Sequence, residues 1–219
     1  CLSHNSSITN NRLITDYGIT ITHNVPPFQP MPRYNSILNN TIQGALEFGI
    51  TIGAGNSNIV ANNTILDAMV GIMLAESWDN IVSGNHINPS HHPDPWGGIV
   101  LWNWCGNNTI ANNTIKTEKP QGIIDSIEVV RSVNNRIEGN VVENLIGGIT
   151  LSYAHNNVVA NNNLSDIWRG IDPMHSYSPS ANAIQLYHST GNIIVNNRIS
   201  RVQSNAILLW DMSGNNILQ

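Results

Sequence analysis

The chain has 219 residues, 41% of them hydrophobic and only 11% charged, with a formal net charge of -5. That balance offers no basic stripe for nucleic acid, and no run approaches the ~18 apolar residues that a membrane helix needs. Low charge without a disorder-promoting run also argues against a solvated tail or linker.

The chain opens on Cys1 rather than Met, which reads as a processed product or a segment of a longer protein, with one domain over 1–219. A six-residue phrase, apolar-x-x-Asn-x-apolar, begins at Ile8 and returns at Ile37, Val60, Val82, Ile110, Ile137, Val159 and Ile194, with a ninth copy opening at Ile217. It places Asn at Asn11, Asn40, Asn63, Asn85, Asn113, Asn140, Asn162 and Asn197. A spacing of about 22 residues where nothing intervenes marks a solenoid, whose units bury their apolar faces only by stacking.

Between these phrases lies a second element, a small residue followed by Ile: Gly18-Ile19, Gly49-Ile50, Gly71-Ile72, Gly98-Ile99, Ser126-Ile127, Gly148-Ile149, Ala183-Ile184 and Ala206-Ile207. Alternation in Ile72-Met73-Leu74 and Ile149-Thr150-Leu151 has period two, so these are strands. Each repeat therefore reads as three short strands around one turn of a prism. The Gly-Ile strand is followed by one that opens the phrase and one that closes it. The phrase Asn takes the tight corner between the last two, using its tolerance of the left-handed conformation, and stacks its amide on the next coil. Cys105 lies four repeats from Cys1, about 19 Å at ~4.8 Å per coil, beyond disulfide reach; bonding between subunits stays open.

The pattern resembles the right-handed parallel β-helix of the pectate-lyase-like superfamily, with its internal Asn ladder. It is most similar to the Asn-rich NosD-like and carbohydrate-active repeats, through phrases such as Asn58-Ile59-Val60-Ala61-Asn62-Asn63-Thr64-Ile65. The resemblance implies an all-β solenoid of about eight coils, lying outside the cytoplasm. It is poor for function, because many activities use this scaffold.

Four insertions break the regularity: His23–Asn35, Asn88–Gly97, Lys116–Asp125 and Ser165–Asn182. The last three leave from the corner before the Gly-Ile strand and the first from the corner after it, so they wall the Gly-Ile face. Loops on a rigid scaffold are where binding residues concentrate. Trp96, Trp168, Arg169 and the outward strand residues Trp102, Tyr187 and Trp210 are the expected substrate-binding set. Glu128, Thr150 and Gln185 point the same way, with Ser152 two residues further on and Arg131 and His188 near the strand ends. Aromatic platforms beside carboxylates and an Arg suit an extended acidic polysaccharide.

The catalytic candidates are Glu128, Arg131, Asp172, His175 and His188. β-Elimination on a uronic acid needs a neutralised carboxylate and a base at carbon five. Arg131 or Arg169 supplies the first, and His175, His188 or Tyr187 the second. Ile171-Asp172-Pro173-Met174-His175 resembles the Asp-Pro-His stretch of alginate-epimerase β-helices, with Met174 intruding. A hydrolase would instead pair Glu128 with Asp125 or Asp172. The polygalacturonase pattern of clustered Asp with Gly-His-Gly is absent.

His91, His92 and Asp94, with Met174 and His175, form the candidate metal set, and the NosD resemblance implies copper. No Cys-x-x-Cys or His-Glu-x-x-His spacing accompanies them, and the cofactor stays unassigned. Sequons at Asn5, Asn39, Asn62, Asn107, Asn112 and Asn163 arise within the Asn-rich repeat. The expected function is binding, and lyase- or epimerase-type processing, of an acidic polysaccharide. The alternative is a structural surface protein assembled through end-to-end or lateral contacts, since a solenoid leaves unpaired strand edges.

Overall fold

Strands of three residues recur wherever the phrase recurs, because each apolar position can be buried only beside its equivalent in the next coil. The computed structural model describes residues 4–22, 31–89, 96–121, 125–168 and 181–219. They build eight coils and the first strand of a ninth, and each complete coil gives one strand to each of three parallel sheets. The opening sheet has nine strands, from Ser7–Thr9 to Ile217–Leu218. The closing sheet has eight, from Arg12–Ile14 to Arg198–Val202. The Gly-Ile sheet also has eight, from Ile19–Thr22 to Ile207–Trp210. Strand order follows coil order in all three, which makes the molecule a right-handed parallel β-helix.

The register aligns like with like. Ile37, Val60, Val82 and Ile110 stack in the opening sheet, and Ile42, Ile65, Ile87 and Ile115 in the closing sheet. These rows, with Ile50, Ile72, Ile99, Ile127, Ile149 and Ile184, are fully or almost fully buried and form one continuous core. Branched side chains suit this role because their stiff rotamers interdigitate on a pleated surface. The small residue before each Ile has a steric cause. A Cβ at Gly71 would lie 2.6 Å from the Gly98 carbonyl oxygen and 2.7 Å from Ile87 Cγ2, and one at Gly98 would meet the Ser126 oxygen at 2.5 Å.

The ladder Asn side chains are buried and linked coil to coil. Asn113 Nδ2 donates to Asn140 Oδ1 (3.0 Å) and to the Val82 carbonyl (3.0 Å), while its own Oδ1 accepts from the Asn85 backbone N–H (2.9 Å) and Nδ2 (2.9 Å). The left-handed residue is not the ladder Asn, as the sequence suggests, but the one before it: Asn10, Asn39, Asn62, Gly84, Asn112, Gly139, Asn161 and Asn196. The turn is made by an exposed residue so that the next side chain can face inward. A second amide ladder, not foreseen from the sequence, runs through Asn35, Asn58, Asn80, Asn108, Asn135, Asn157 and Asn192 at the corner before the opening strand.

Cys105 occupies a third ladder, in the slot filled by Ser77, Ser132 and Ser189 in other coils. Its thiol donates to the Leu74 carbonyl (3.3 Å), and its N–H donates to Ser132 Oγ. The thiol is free and fully buried, with its pKa pushed up by that burial, so Cys105 is closed to bonding between subunits.

Of the insertion between Lys116 and Asp125, the part up to Gln121 continues the closing-sheet strand Thr114–Gln121, with a register shift between Lys116 and Gln121. Trp96 and Trp168 are described. Arg169, Asp172, Met174, His175, His91, His92 and Asp94 lie outside the described residues.

Candidate functional site on the Gly-Ile face

Inward Ile and Leu residues leave alternate positions of the Gly-Ile strands facing out, and register sorts these into rows. One row reads Thr51, Met73, Val100, Glu128, Thr150, Gln185, Leu208, and the next Gly53, Ala75, Trp102, Val130, Ser152, Tyr187, Trp210. Short Val130 and Ser152 therefore separate Trp102 on one side from Tyr187 and Trp210 on the other.

Beyond them the strand turns the corner, four residues after each Ile. Ala54, Glu76, Asn103, Arg131, Tyr153, His188 and Asp211 occupy this turn, all with left-handed backbone, φ between 44° and 51°. Arg131 and His188 thus stand two coils apart with Tyr153 between them. Their side chains interlock from Tyr153 onward. The Tyr153 and His188 rings stack at 4.8 Å and 8°, Tyr187 meets His188 edge-on at 4.3 Å, and Tyr187 lies 5.2 Å from Trp210. His188 Nε2 is 3.1 Å from Asp211 Oδ2. A hydrogen bond with Tyr153, then burial, raises the Tyr187 phenol pKa, so it keeps its proton at neutral pH. Arg131 is exposed, and its guanidinium has no hydrogen-bond or ion-pair partner among the described residues.

At the other end of the same strands stands a carboxyl pair. Asp125 begins the strand Asp125–Val130, and its Oδ1 accepts a hydrogen bond from Thr150 Oγ1 at 2.5 Å. Burial, reinforced by the negative charge of Glu128, raises Asp125 to about 8, while burial raises Glu128 to about 7. Two carboxyls so placed hold at least one proton at neutral pH.

The remaining Trp residues sit apart from this cluster. Trp96 and Trp102 meet edge to face at 5.7 Å and pack over Val70, Met73 and Val100, shielding an apolar patch on the third and fourth coils. Trp168 follows the strand Asn163–Ile167 at the corner before the Gly-Ile sheet, where its Nε1 donates to Asn144 Oδ1 at 3.1 Å. It therefore lies across the face from Tyr187 and Trp210. Tyr153 and Asp211 complete the cluster and were not singled out from the sequence. The signal was there, in the constant offset of four from each Ile.

The family model described as periplasmic copper-binding protein (NosD) matches residues 2–123 and 97–219, together nearly the whole chain. No curated protein matches. Among solved structures, the Agl-KA catalytic domain superposes with a TM-score of 0.64 at 14% identity, covering 99% of this chain and 47% of that one. DFA-IIIase from Arthrobacter chlorophenolicus A6, in complex with GF2, gives 0.58 at 16% identity over 98% and 63%. A variant of the periplasmic alginate epimerase AlgG gives 0.51 at 14% over 97% and 67%. These likenesses show the shared fold, and the chain spans about half to two thirds of the length of these structures.

Copper requires converging soft or imidazole donors. Among the described residues no three His, Cys, Asp or Glu side chains come together. Cys105 is committed to the Leu74 carbonyl, His155 Nδ1 to Thr190 Oγ1, and His188 Nε2 to Asp211. The described donor set does not fit that metal.

Proposed function

This chain belongs to the NosD family, and we propose that its outward Gly-Ile face binds an acidic polysaccharide and processes it by proton abstraction. The family is one of periplasmic proteins, in agreement with the extracellular or periplasmic location expected from the sequence. One observation carries the reading: an exposed Arg131, with no partner among the described residues, shares a corner row with the Tyr153–His188–Asp211 cluster, within two coils of His188. The outward rings Tyr187 and Trp210 on successive coils offer apolar surface to sugar rings, and the Arg fork matches a carboxylate.

The chemistry follows from the same groups. Asp211 accepts from His188 Nε2, which leaves Nδ1 to take the carbon-five proton of a uronate. Arg131 neutralises the sugar carboxylate as charge builds on it. In elimination the carbon-four–oxygen bond breaks, a double bond forms between carbons four and five, and Tyr187 donates its proton to the departing oxygen. In epimerisation the proton returns to the opposite face instead. The partly protonated Asp125–Glu128 pair meets sugar hydroxyls rather than repelling an anionic chain.

The test is a panel of uronans and neutral glycans, read by calorimetry, by the ultraviolet absorbance of unsaturated ends and by NMR of epimerised residues. Tyr187→Ala should weaken binding about tenfold, the ~1.4 kcal/mol expected of one stacked ring. An absence of binding to every acidic glycan would sink the proposal. The carboxyl pair favours a second reading, hydrolysis by two carboxyl groups, and saturated reducing ends among the products would select it.

A further inference from the structure

The opening sheet takes no part in the site, yet its outer face follows a pattern. Its strands keep one register without a shift, so the outward residues form two rows. Over coils three to eight the first row reads Ile59, Ile81, Thr109, Arg136, Val158, Ile193. The second reads Ala61, Ser83, Ala111, Glu138, Ala160, Val195. In every coil from the third to the seventh the first residue is the larger. Ile59 and Ile81 are 40% and 44% exposed, whereas Ala61 and Ala111 sit low between their neighbours. The closing sheet instead presents Arg12, Lys116, Glu143 and Arg198. A regular apolar face without such charges is a surface for association.

We infer that this face pairs with the same face of a second copy of the chain, about a two-fold axis parallel to the helix axis. Such an axis, placed between the two rows, sets each coil against its own equivalent and each row against the other. Ile59 then meets the partner's Ala61, Ile81 the partner's Ser83 and Val158 the partner's Ala160. Large side chains enter the hollows left by small ones, at the ~10 Å spacing of packed sheets. Charge selects this arrangement over its antiparallel rival. Arg136 and Glu138 lie 2.6 Å apart within one chain, and across the parallel axis Arg136 also faces the partner's Glu138, twice over by symmetry. Antiparallel pairing centred on that coil would set Arg136 against the partner's Arg136, which repels. Six coils at ~4.8 Å and strands of three residues at ~3.3 Å give a footprint of roughly 300 Å², well short of the ~800 Å² that each partner buries in a stable complex. The dimer is therefore weak and concentration-dependent. It leaves both Gly-Ile faces open, because they belong to a different sheet of the prism.

Sedimentation equilibrium of the whole chain tests it. The mass should climb from 24.0 kDa toward twice that value as concentration rises from about 1 μM to about 1 mM, the range expected of so small a footprint. Glu138→Arg should weaken dimerisation at least tenfold, because four arginines then face one another. Combining it with Arg136→Glu should restore pairing, since opposite charges again meet across the axis. Both side chains point outward, so unchanged melting temperatures will show that the fold is kept. A monomer across the whole range, a dimer indifferent to Glu138→Arg, or a double exchange that fails to restore pairing overturns the inference.

Discussion

Replacing Asn113 with Ala probes the interior that carries every other feature. The change strips four hydrogen bonds at once, because Asn113 donates to Val82 O and Asn140 Oδ1 and accepts from the Asn85 N–H and Nδ2. Two losses are shared out. Asn85 Nδ2 keeps the Val60 and Ser83 carbonyls, and Asn140 Oδ1 keeps the Asn113 N–H. The other two fall on buried backbone groups: the Asn85 N–H is left without a partner, at about 1–3 kcal/mol, and the Val82 carbonyl, which keeps its place in the parallel ladder with Ile110, loses a second bond at about 0.5–1.5 kcal/mol. The expected cost is therefore about 2–4 kcal/mol, a fall of roughly 4–16 °C in melting temperature for a domain of this size. Thermal melts followed by circular dichroism, beside urea titrations, measure it. Asn112→Gly next door is the comparison. Asn112 is left-handed (φ 54°) and exposed, so glycine there should cost no more than about 0.5 kcal/mol. Equal losses at the two positions would refute the ladder as the source of stability.

Gly98→Ala drives a methyl to 2.5 Å from the Ser126 carbonyl oxygen and 2.8 Å from Ile115 Cγ2, and should cost about 2–3 kcal/mol in the same melts. Asp125 and Glu128, raised to about 8 and about 7, bind protons in the folded protein at pH values where the unfolded chain has released them. Stability should therefore fall as pH rises from about 4 to about 8 and level off above, and Asp125→Asn should flatten that slope in melts across the range. The Cys105 thiol, buried and with its pKa raised, should resist iodoacetamide in the native protein and react after unfolding, as mass spectrometry of its peptide will show.

Much of the fold was legible because solenoid burial repeats. The positions Ile37 to Ile194 could be aligned by eye, and the register pairs them as the repeat predicts. The second ladder is not part of the repeated phrase: its Asn residues, such as Asn58 and Asn80, sit two places before it, at a corner whose inward turn only the fold reveals. The left-handed position was assigned one residue late, since Asn62-Asn63 and Asn112-Asn113 put the same residue type on both sides of the corner. Outward rows were legible from period two, which put Glu128 beside Thr150 and Tyr187 beside Trp210 in the register. Contacts across coils were not. Nothing in the local sequence says that Tyr153 stacks on His188 from 35 residues away, or that Trp102 lies against Trp96 over an apolar patch. Such contacts depend on insertion lengths, which shift sequence separation without shifting spatial register.

The claim that the Gly-Ile face binds an acidic sugar chain is tested most directly by calorimetry with size-fractionated uronate oligomers. The corner row offers four successive side chains, Arg131, Tyr153, His188 and Asp211. Affinity should therefore rise from the monomer to an oligomer long enough to meet several of these side chains, and level off beyond. Affinity independent of length from the monomer upward, or no heat with any oligomer, would contradict it.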